Sequence, residues 1–163
     1  MDRQSFEDVA CRLWDRLGLA EPVFGSEPEL VLLIDGFAVV LRHGEDGRVL
    51  VIEAQAGTLA NRPGFEQAEL EKLLKTNFML SAMRNTIAVL ALNSRPEEPR
   101  VLIRGYYRYQ QNQLEELVDL VSDVMSSSET LEQLIAVTGH GAQPISGGDR
   151  FPTLGEEFVF LKP

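Results

Sequence analysis

The stretch Leu30–Arg42, which reads LVLLIDGFAVVLR, decides the fold of this 163-residue chain. Two apolar runs flank Asp35-Gly36, a dipeptide that favours the tight turn of a β-hairpin. Each run is apolar at successive positions, whereas an antiparallel strand with one face in water alternates apolar and polar residues. The stretch therefore predicts a hairpin whose second face is covered by a helix, another subunit or a bound chain.

The segments on either side of this hairpin extend it into a mixed fold. Apolar residues at helical spacing predict an amphipathic helix upstream. The predicted elements are a helix over 6–17, strands over 30–34, 37–42 and 49–54, a helix over 66–78, strands over 86–92 and 100–109, and a helix over 113–125. Ser126-Ser127-Ser128 is predicted to interrupt this last helix, and Ser126 with Glu129 to cap a short successor through Leu131, Leu134 and Ile135. The order α-βββ-α-ββ-α indicates the α+β class, with an antiparallel sheet of about five strands and three main helices.

The C-terminal part differs in composition. From Thr138 onward glycine and proline are frequent, which predicts a domain over 1–137 and a flexible tail over 138–163. The apolar patch Phe158–Leu161 is long enough to add an edge strand. One interpretation is that this patch fills a strand-addition site when no partner is bound, and the alternatives are disorder or ordinary docking.

Charge and composition exclude several classes of function. The chain carries 25 acidic against 15 basic residues, a formal net charge of −10, so it lacks the basic surface that nucleic acid or anionic lipid requires. Arg100, Arg104 and Arg108 share one face of the last predicted strand, and that face is expected to be solvent-exposed. The first eight residues lack the basic and apolar regions of a signal peptide, so none is expected, and no apolar run reaches the roughly 20 residues of a membrane span. The sequence predicts a cytoplasmic protein without membrane insertion.

Catalytic and metal-binding motifs are missing from the sequence. His43 and His140 each lie next to a glycine, without a ligand companion at helical spacing, and are interpreted as solvated loop residues. Cys11 lies on the face of the first helix that packs, where a thiol behaves as a small apolar side chain. Asn77 allows two interpretations, a helix C-cap or a buried polar group at an interface. We expect no enzymatic activity, no cofactor and no metal.

Four segments carry a resemblance to a known family. They are Leu32-Leu33-Ile34-Asp35, Ala56-Gly57-Thr58-Leu59, the Leu-Leu-x-x-Asn element at 73–77, and the strand Ile87–Leu92. Together with the element order, the small size and the acidity, they make residues 6–137 resemble the class I type III secretion chaperones, the Tir-chaperone (CesT-like) family. Two features depart from the family pattern. Serines 126–128 replace an aromatic-rich helix end, and the tail has no counterpart.

The resemblance implies a cytoplasmic homodimer that binds the N-terminal segment of a secreted effector in extended form and keeps it soluble for secretion. The secretion ATPase is a further candidate partner. On this basis we predict an effector-binding groove bordered by Val9, Leu13, Leu32, Ile34, Val39, Leu41, Leu50 and Ile52. We predict a dimer interface formed by Leu70, Leu73, Leu74, Phe78, Ala88 and Leu90. Ordinary core packing is the alternative for each of these residues.

Two other functions are compatible with a small acidic protein that has surplus apolar strands. One is an immunity or inhibitor protein that neutralises a basic toxin with its carboxylates. The other is a regulator that sequesters an activator. The amino-acid sequence does not separate this regulator from a chaperone.

Overall fold

The computed structural model describes residues 3–26, 28–58, 67–92, 100–109, 113–138 and 157–160. Within these ranges, residues 3–5, 67–70, 92, 137–138 and 157–160 are described by their backbone. His140 and most of the predicted tail lie outside the described residues.

Three helices and six strands make up the described chain. In order they are α1 (Arg3–Arg16), β1 (Glu29–Ile34), β2 (Phe37–His43), β3 (Val49–Thr58), α2 (Gln67–Arg84), β4 (Thr86–Leu92), β5 (Arg100–Arg108), α3 (Leu114–Thr138) and β6 (Glu157–Phe160). The strands form one antiparallel sheet in the order β1-β2-β3-β5-β4-β6. The predicted α+β class and element order are confirmed, and β6 is a sixth strand contributed by the tail.

The hairpin that opens the sheet has the predicted tight turn. Ile34 pairs with Phe37, which leaves Asp35 and Gly36 as a two-residue turn. Both turn residues have positive φ, 50° and 83°, which is the type I′ geometry whose twist suits a hairpin. Glycine and aspartate tolerate this backbone better than most residues do.

Helix α3 packs across one face of the sheet, and Gly105 permits the close approach. A Cβ atom added at Gly105 would lie 2.9 Å from Leu120 Cδ1 and 3.0 Å from Val124 Cγ2. Residue 105 therefore faces α3, and by strand alternation residues 102, 104 and 106 face the opposite side. The main core, which includes Phe6 and Leu13 of α1, lies between the helices and the α3 side of the sheet.

Two helices differ from their predicted lengths. Helix α2 continues past Asn77 to Arg84 and stops at Asn85, whose φ of 51° is the left-handed conformation common just after a helix. Helix α3 runs unbroken through the three serines, and the sheet satisfies the hydroxyl groups of two of them. Ser127 Oγ lies 3.0 Å from Thr86 Oγ1, and Ser128 Oγ donates to the carbonyl of Gln55 at 2.9 Å. Hydroxyls bonded in this way no longer compete for the helix backbone.

Candidate protein-binding surfaces

An apolar groove of about 240 Å³ lies between α1, the end of β1 and α3. It is lined by Leu13, Leu17, Ile34, Val118, Val121, Ser122, Met125, Ser126 and Glu129. Leu13 and Val121 are buried at its floor, whereas Ile34, Val118 and Met125 are half-buried along its walls. A concave apolar surface with few polar groups suits an apolar side chain from a partner.

The groove follows from helical periodicity on two helices. Leu13 of α1 lies four residues before Leu17, which directly follows the helix and donates its N–H to the Leu13 carbonyl at 3.0 Å. Val118, Val121 and Met125 follow the spacing of one face on α3. Near this groove an ion pair joins the two helices, since Arg16 Nε donates to Glu115 Oε1 at 3.0 Å. That hydrogen bond and the attraction of the charges raise the pKa of Arg16 and lower the pKa of Glu115.

The predicted effector-binding residues divide into two groups. Leu13, Leu32, Val39, Leu41, Leu50 and Ile52 are buried in the core of the chain. Val9 and Ile34 are partly exposed and pack at the edge of that core. The groove brings together Leu13 and Ile34 from the predicted set, and the effector-binding role of the set remains a prediction. The α3 wall was not assigned to the site, although its apolar stripe is visible in the sequence.

The predicted dimer residues lie around α2 and β4. Leu73 and Ala88 are buried, and Leu74 and Leu90 are half-buried. The side chain of Leu70 lies outside the described residues. Phe78 is 60% exposed, and Met79 and Met83 on the same helix are 46% and 76% exposed. Helix α2 thus carries an exposed apolar face, formed by Phe78, Met79 and Met83.

Asn77 has a different role from a helix cap. It is 2% exposed, and its Oδ1 accepts a hydrogen bond from the backbone N–H of Ala88 at 2.7 Å. A buried backbone N–H without a partner costs free energy comparable to a lost hydrogen bond. The amide therefore joins α2 to the outer edge of β4. Asn77 is a buried polar group rather than a helix cap, and its place at an interface stays a prediction.

A row of alternating charges crosses the sheet on the face opposite α3. Glu53 is buried, and its Oε1 accepts hydrogen bonds from Nε of Arg104, at 2.7 Å, and from Nη2 of the same guanidinium. Arg42 Nη2 lies 3.4 Å from Glu53 Oε2, and Arg42 Nε lies 3.0 Å from Glu29 Oε2. Burial lowers the pKa of Arg104, but the charge of Glu53 and the interactions with Tyr106 together outweigh it, and the pKa is raised. The expectation that this face of β5 is solvent-exposed is therefore wrong at Arg104, although Arg108 is exposed.

His43 and Cys11 are the other side chains that the sequence singles out as reactive, and the surroundings of each are those of a packed residue. His43 Nδ1 lies 2.8 Å from the hydroxyl of Tyr109, and its ring packs edge-on against Phe6, so His43 is not a solvated loop residue. Burial, followed by the charges of Glu21, Asp8 and Glu7, raises the pKa of Cys11, which disfavours the reactive thiolate.

The described residues hold no group of three potential metal ligands. They include no helix long and apolar enough to cross a membrane.

The chain matches one protein-family model in sequence and several solved structures in fold. The model of the Tir chaperone protein (CesT) family matches residues 12–132. The structure of the HopA1–SchA chaperone–effector complex matches at a TM-score of 0.62 and 12% identity, over 82% of this chain and 98% of that chain. The ExoU–SpcU complex of the Pseudomonas aeruginosa type III secretion system matches at 0.58 and 16%, over 78% and 98%. Yersinia pestis SycH with a YscM2 fragment matches at 0.56 and 16%, over 77% and 98%. At these identities the structures establish the fold, and no curated protein matches in sequence.

Proposed function

The chain belongs to the Tir chaperone protein (CesT) family and is a type III secretion effector chaperone, and we propose that it binds the N-terminal segment of its effector in extended form through the α1–α3 groove. The observation that carries this proposal is the groove itself, which is apolar, open to solvent and lined by partly exposed side chains of Ile34, Val118 and Met125. The family is one of chaperones rather than enzymes, and we place this chain in the cytoplasm with it.

The edge of β1 offers the extended segment its backbone partner. Among the described strands β1 pairs with β2 alone, so its other edge has no partner strand. Val31 and Leu33 on this strand are 44% and 66% exposed, and Ile34 lines the groove. A strand added to β1 would direct alternate side chains toward the groove and toward Val31 and Leu33. Main-chain hydrogen bonds would supply affinity, and the groove would select apolar residues.

A pair of valine substitutions tests the groove. Val118→Asp puts a carboxylate into the apolar wall, whereas Val23→Asp makes the same change at a residue that is 89% exposed and outside the groove. Each full-length chain is purified from the native cell with an affinity tag, and bound proteins are identified by mass spectrometry. We expect V118D to lose a secreted protein that the wild type and V23D retain. Limited proteolysis of the retained complex should protect the N-terminal part of that protein.

The control for folding is the thermal unfolding of V118D. If V118D unfolds cooperatively and still retains the same secreted protein, the groove is not the binding site. If proteolysis protects a segment far from the N-terminus of the client, the proposed mode of binding is wrong.

The exposed apolar face of α2 supports a homodimer. Phe78, Met79 and Met83 present large side chains to solvent, and isolated chains rarely expose such a cluster without a partner. The half-buried Leu74 and Leu90 lie on the same helix and on the adjoining strand. We therefore place the dimer contact at this face.

Sedimentation equilibrium measures the association directly. The wild type is expected at twice the 18.2 kDa chain mass, and Phe78→Asp with Met83→Asp at the mass of one chain. Val23→Asp, which adds a carboxylate on another surface, should remain a dimer. If the wild type sediments at the mass of a single chain at micromolar concentration, the proposed homodimer is wrong.

The alternative of an acidic inhibitor of a toxin is not favoured. The family match covers the domain that holds the groove, and the carboxylates of the described residues form no concentrated patch at it, since Glu129 is the one acidic residue in its lining.

A further inference from the structure

Two different groups cover the outer edge of β4, the side-chain amide of Asn77 and the strand β6. In the first half of β4, Asn77 Oδ1 accepts a hydrogen bond from the backbone N–H of Ala88. Its second half pairs with β6, in the register Val89 with Phe160, Leu90 with Val159, Ala91 with Phe158 and Leu92 with Glu157. The strand that covers this edge comes from the C-terminal end of the same chain.

The hydrogen-bonding positions at this edge follow from the direction of the Ala88 N–H. Backbone groups of alternate residues in a strand point to alternate sides. Because Ala88 donates away from β5, Leu90 and Leu92 also direct their N–H and C=O groups toward β6. Leu90 with Val159 and Leu92 with Glu157 are therefore the two hydrogen-bonded pairs.

The register also places the two aromatic residues of β6 in apolar rows. Phe160 shares a row with Val89 and Leu102, and Phe158 shares a row with Ala91. Val89, Ala91 and Leu102 form a separate buried cluster on the face opposite α3, each at most 1% exposed. The rows suit an incoming strand with apolar residues at two alternate positions.

We propose that the edge of β4 at residues 89–92 is a second strand-binding site of this chain, and that β6 is its intramolecular ligand. The partner that fits the site is an extended antiparallel segment with apolar residues at positions i and i+2. Binding such a segment exchanges one strand for another, so the sheet keeps six strands. The occupied state closes this edge, and release of β6 opens it.

The connection between α3 and β6 permits this exchange. Residues 139–156 number 18, and a chain of that length can reach at most about 60 Å. Strand β6 can therefore leave the edge while α3 stays in place. A tethered ligand acts at an effective concentration in the millimolar range for short linkers, so a free segment must compete with it. The β4 edge is separate from the proposed groove and from the β1 edge, and its test has a separate readout.

The test removes one hydrogen bond between β6 and β4 in the full-length chain. Val159→Pro deletes the N–H that faces Leu90, whereas Val159→Thr keeps the N–H and a β-branched side chain. Hydrogen exchange of the Leu90 and Leu92 amides is followed by NMR. We expect V159P to accelerate both by about tenfold or more, because the hydrogen bond to the Leu90 carbonyl is lost and the proline ring takes the place of the N–H beside that carbonyl. V159T and the wild type should exchange at similar rates.

The second arm adds the ligand in trans. The probe is a fluorescent peptide with the sequence of residues 155–163, GEEFVFLKP. We expect the peptide to bind V159P at least about tenfold more tightly than the wild type, whose own β6 competes. The same peptide with proline at the position of Val159 should bind neither chain.

Three results would overturn the proposal. One is equal exchange of the Leu90 and Leu92 amides in the wild type and V159P. Another is equal binding of the peptide to both chains. The third is protection of these amides that rises with protein concentration over a tenfold range, since the strand would then come from a second copy.

Discussion

Replacing Asn77 by alanine tests how α2 holds the sheet. In the native chain Asn77 Oδ1 lies 2.7 Å from the N–H of Ala88, and both residues are buried, at 2% and 1% exposure. The alanine side chain cannot accept this hydrogen bond, and the buried N–H is left without that partner. A buried donor stranded in this way costs about 1–3 kcal/mol. For a domain of this size, 2 kcal/mol lowers the melting temperature by about 4–8 °C.

The assay is urea unfolding of Asn77→Ala beside Ser81→Ala at one protein concentration. Ser81 lies on the same helix and is exposed, so its replacement should change the free energy of unfolding by less than about 0.5 kcal/mol. The m-value should be unchanged in both variants, since the surface exposed on unfolding is the same. Hydrogen exchange of the Ala88 amide should be faster in N77A alone.

The reasoning fails if N77A unfolds at the same urea concentration as the wild type and the Ala88 amide keeps its protection. That pair of results would mean that water or a neighbouring group replaces the amide without cost. A loss of stability with full protection at Ala88 would place the effect of Asn77 elsewhere in the helix.

Three further predictions concern the core, the charged row and the helix pair. Glu53→Ala leaves the partly buried Arg104 without its main partner and should cost about 3 kcal/mol in urea unfolding, and a loss below about 1 kcal/mol would mean that water enters the row. Leu41→Asp buries a carboxylate at a fully buried position and should lower the free energy of unfolding by more than about 4 kcal/mol; a folded L41D that only lost its client would assign Leu41 to the binding surface. Arg16→Ala removes the partner of Glu115, whose folded pKa is lowered, so the pair stabilises the fold above the unfolded pKa and loses this effect as pH falls through the folded pKa. The small difference in melting temperature between R16A and the wild type should therefore be present at pH 7 and absent in acid, and a difference that persists in acid would contradict the pairing.

The hairpin and the element order were predictable because local chemistry determines them. Asp35-Gly36 between two apolar runs specifies both the turn and the register, and the stripes of α1 and α3 follow helical periodicity. The end of α2 was not predictable from Asn77, because an asparagine that caps a helix and one that bonds a neighbouring strand look alike in sequence. The same applies to the serines of α3, whose partners Thr86 and Gln55 are distant along the chain.

The candidate site was predicted in part. Two-sided apolar strands indicated a covered face, but they could not indicate whether the cover was the chain's own helix or a partner. At Leu41, Leu50 and Ile52 the cover is the core of the same chain, as their full burial shows. Leu13 and Ile34 reach the groove because they lie where α1 and β1 border α3, and that placement depends on tertiary packing.

The two ends of the sheet differ, and the difference bears on how copies of the chain can assemble. Within the described strands, β1 ends the sheet on one side without a partner, whereas the edge of β4 is closed by Asn77 and β6. A fibril that grows by edge-to-edge pairing needs two receptive edges on every subunit. A sheet with one receptive edge can join to a single neighbour, after which growth stops. Pairing through sheet edges alone therefore stops at two copies, and the chaperone can leave the edge of β1 open to its client without building a fibril through its sheet edges alone.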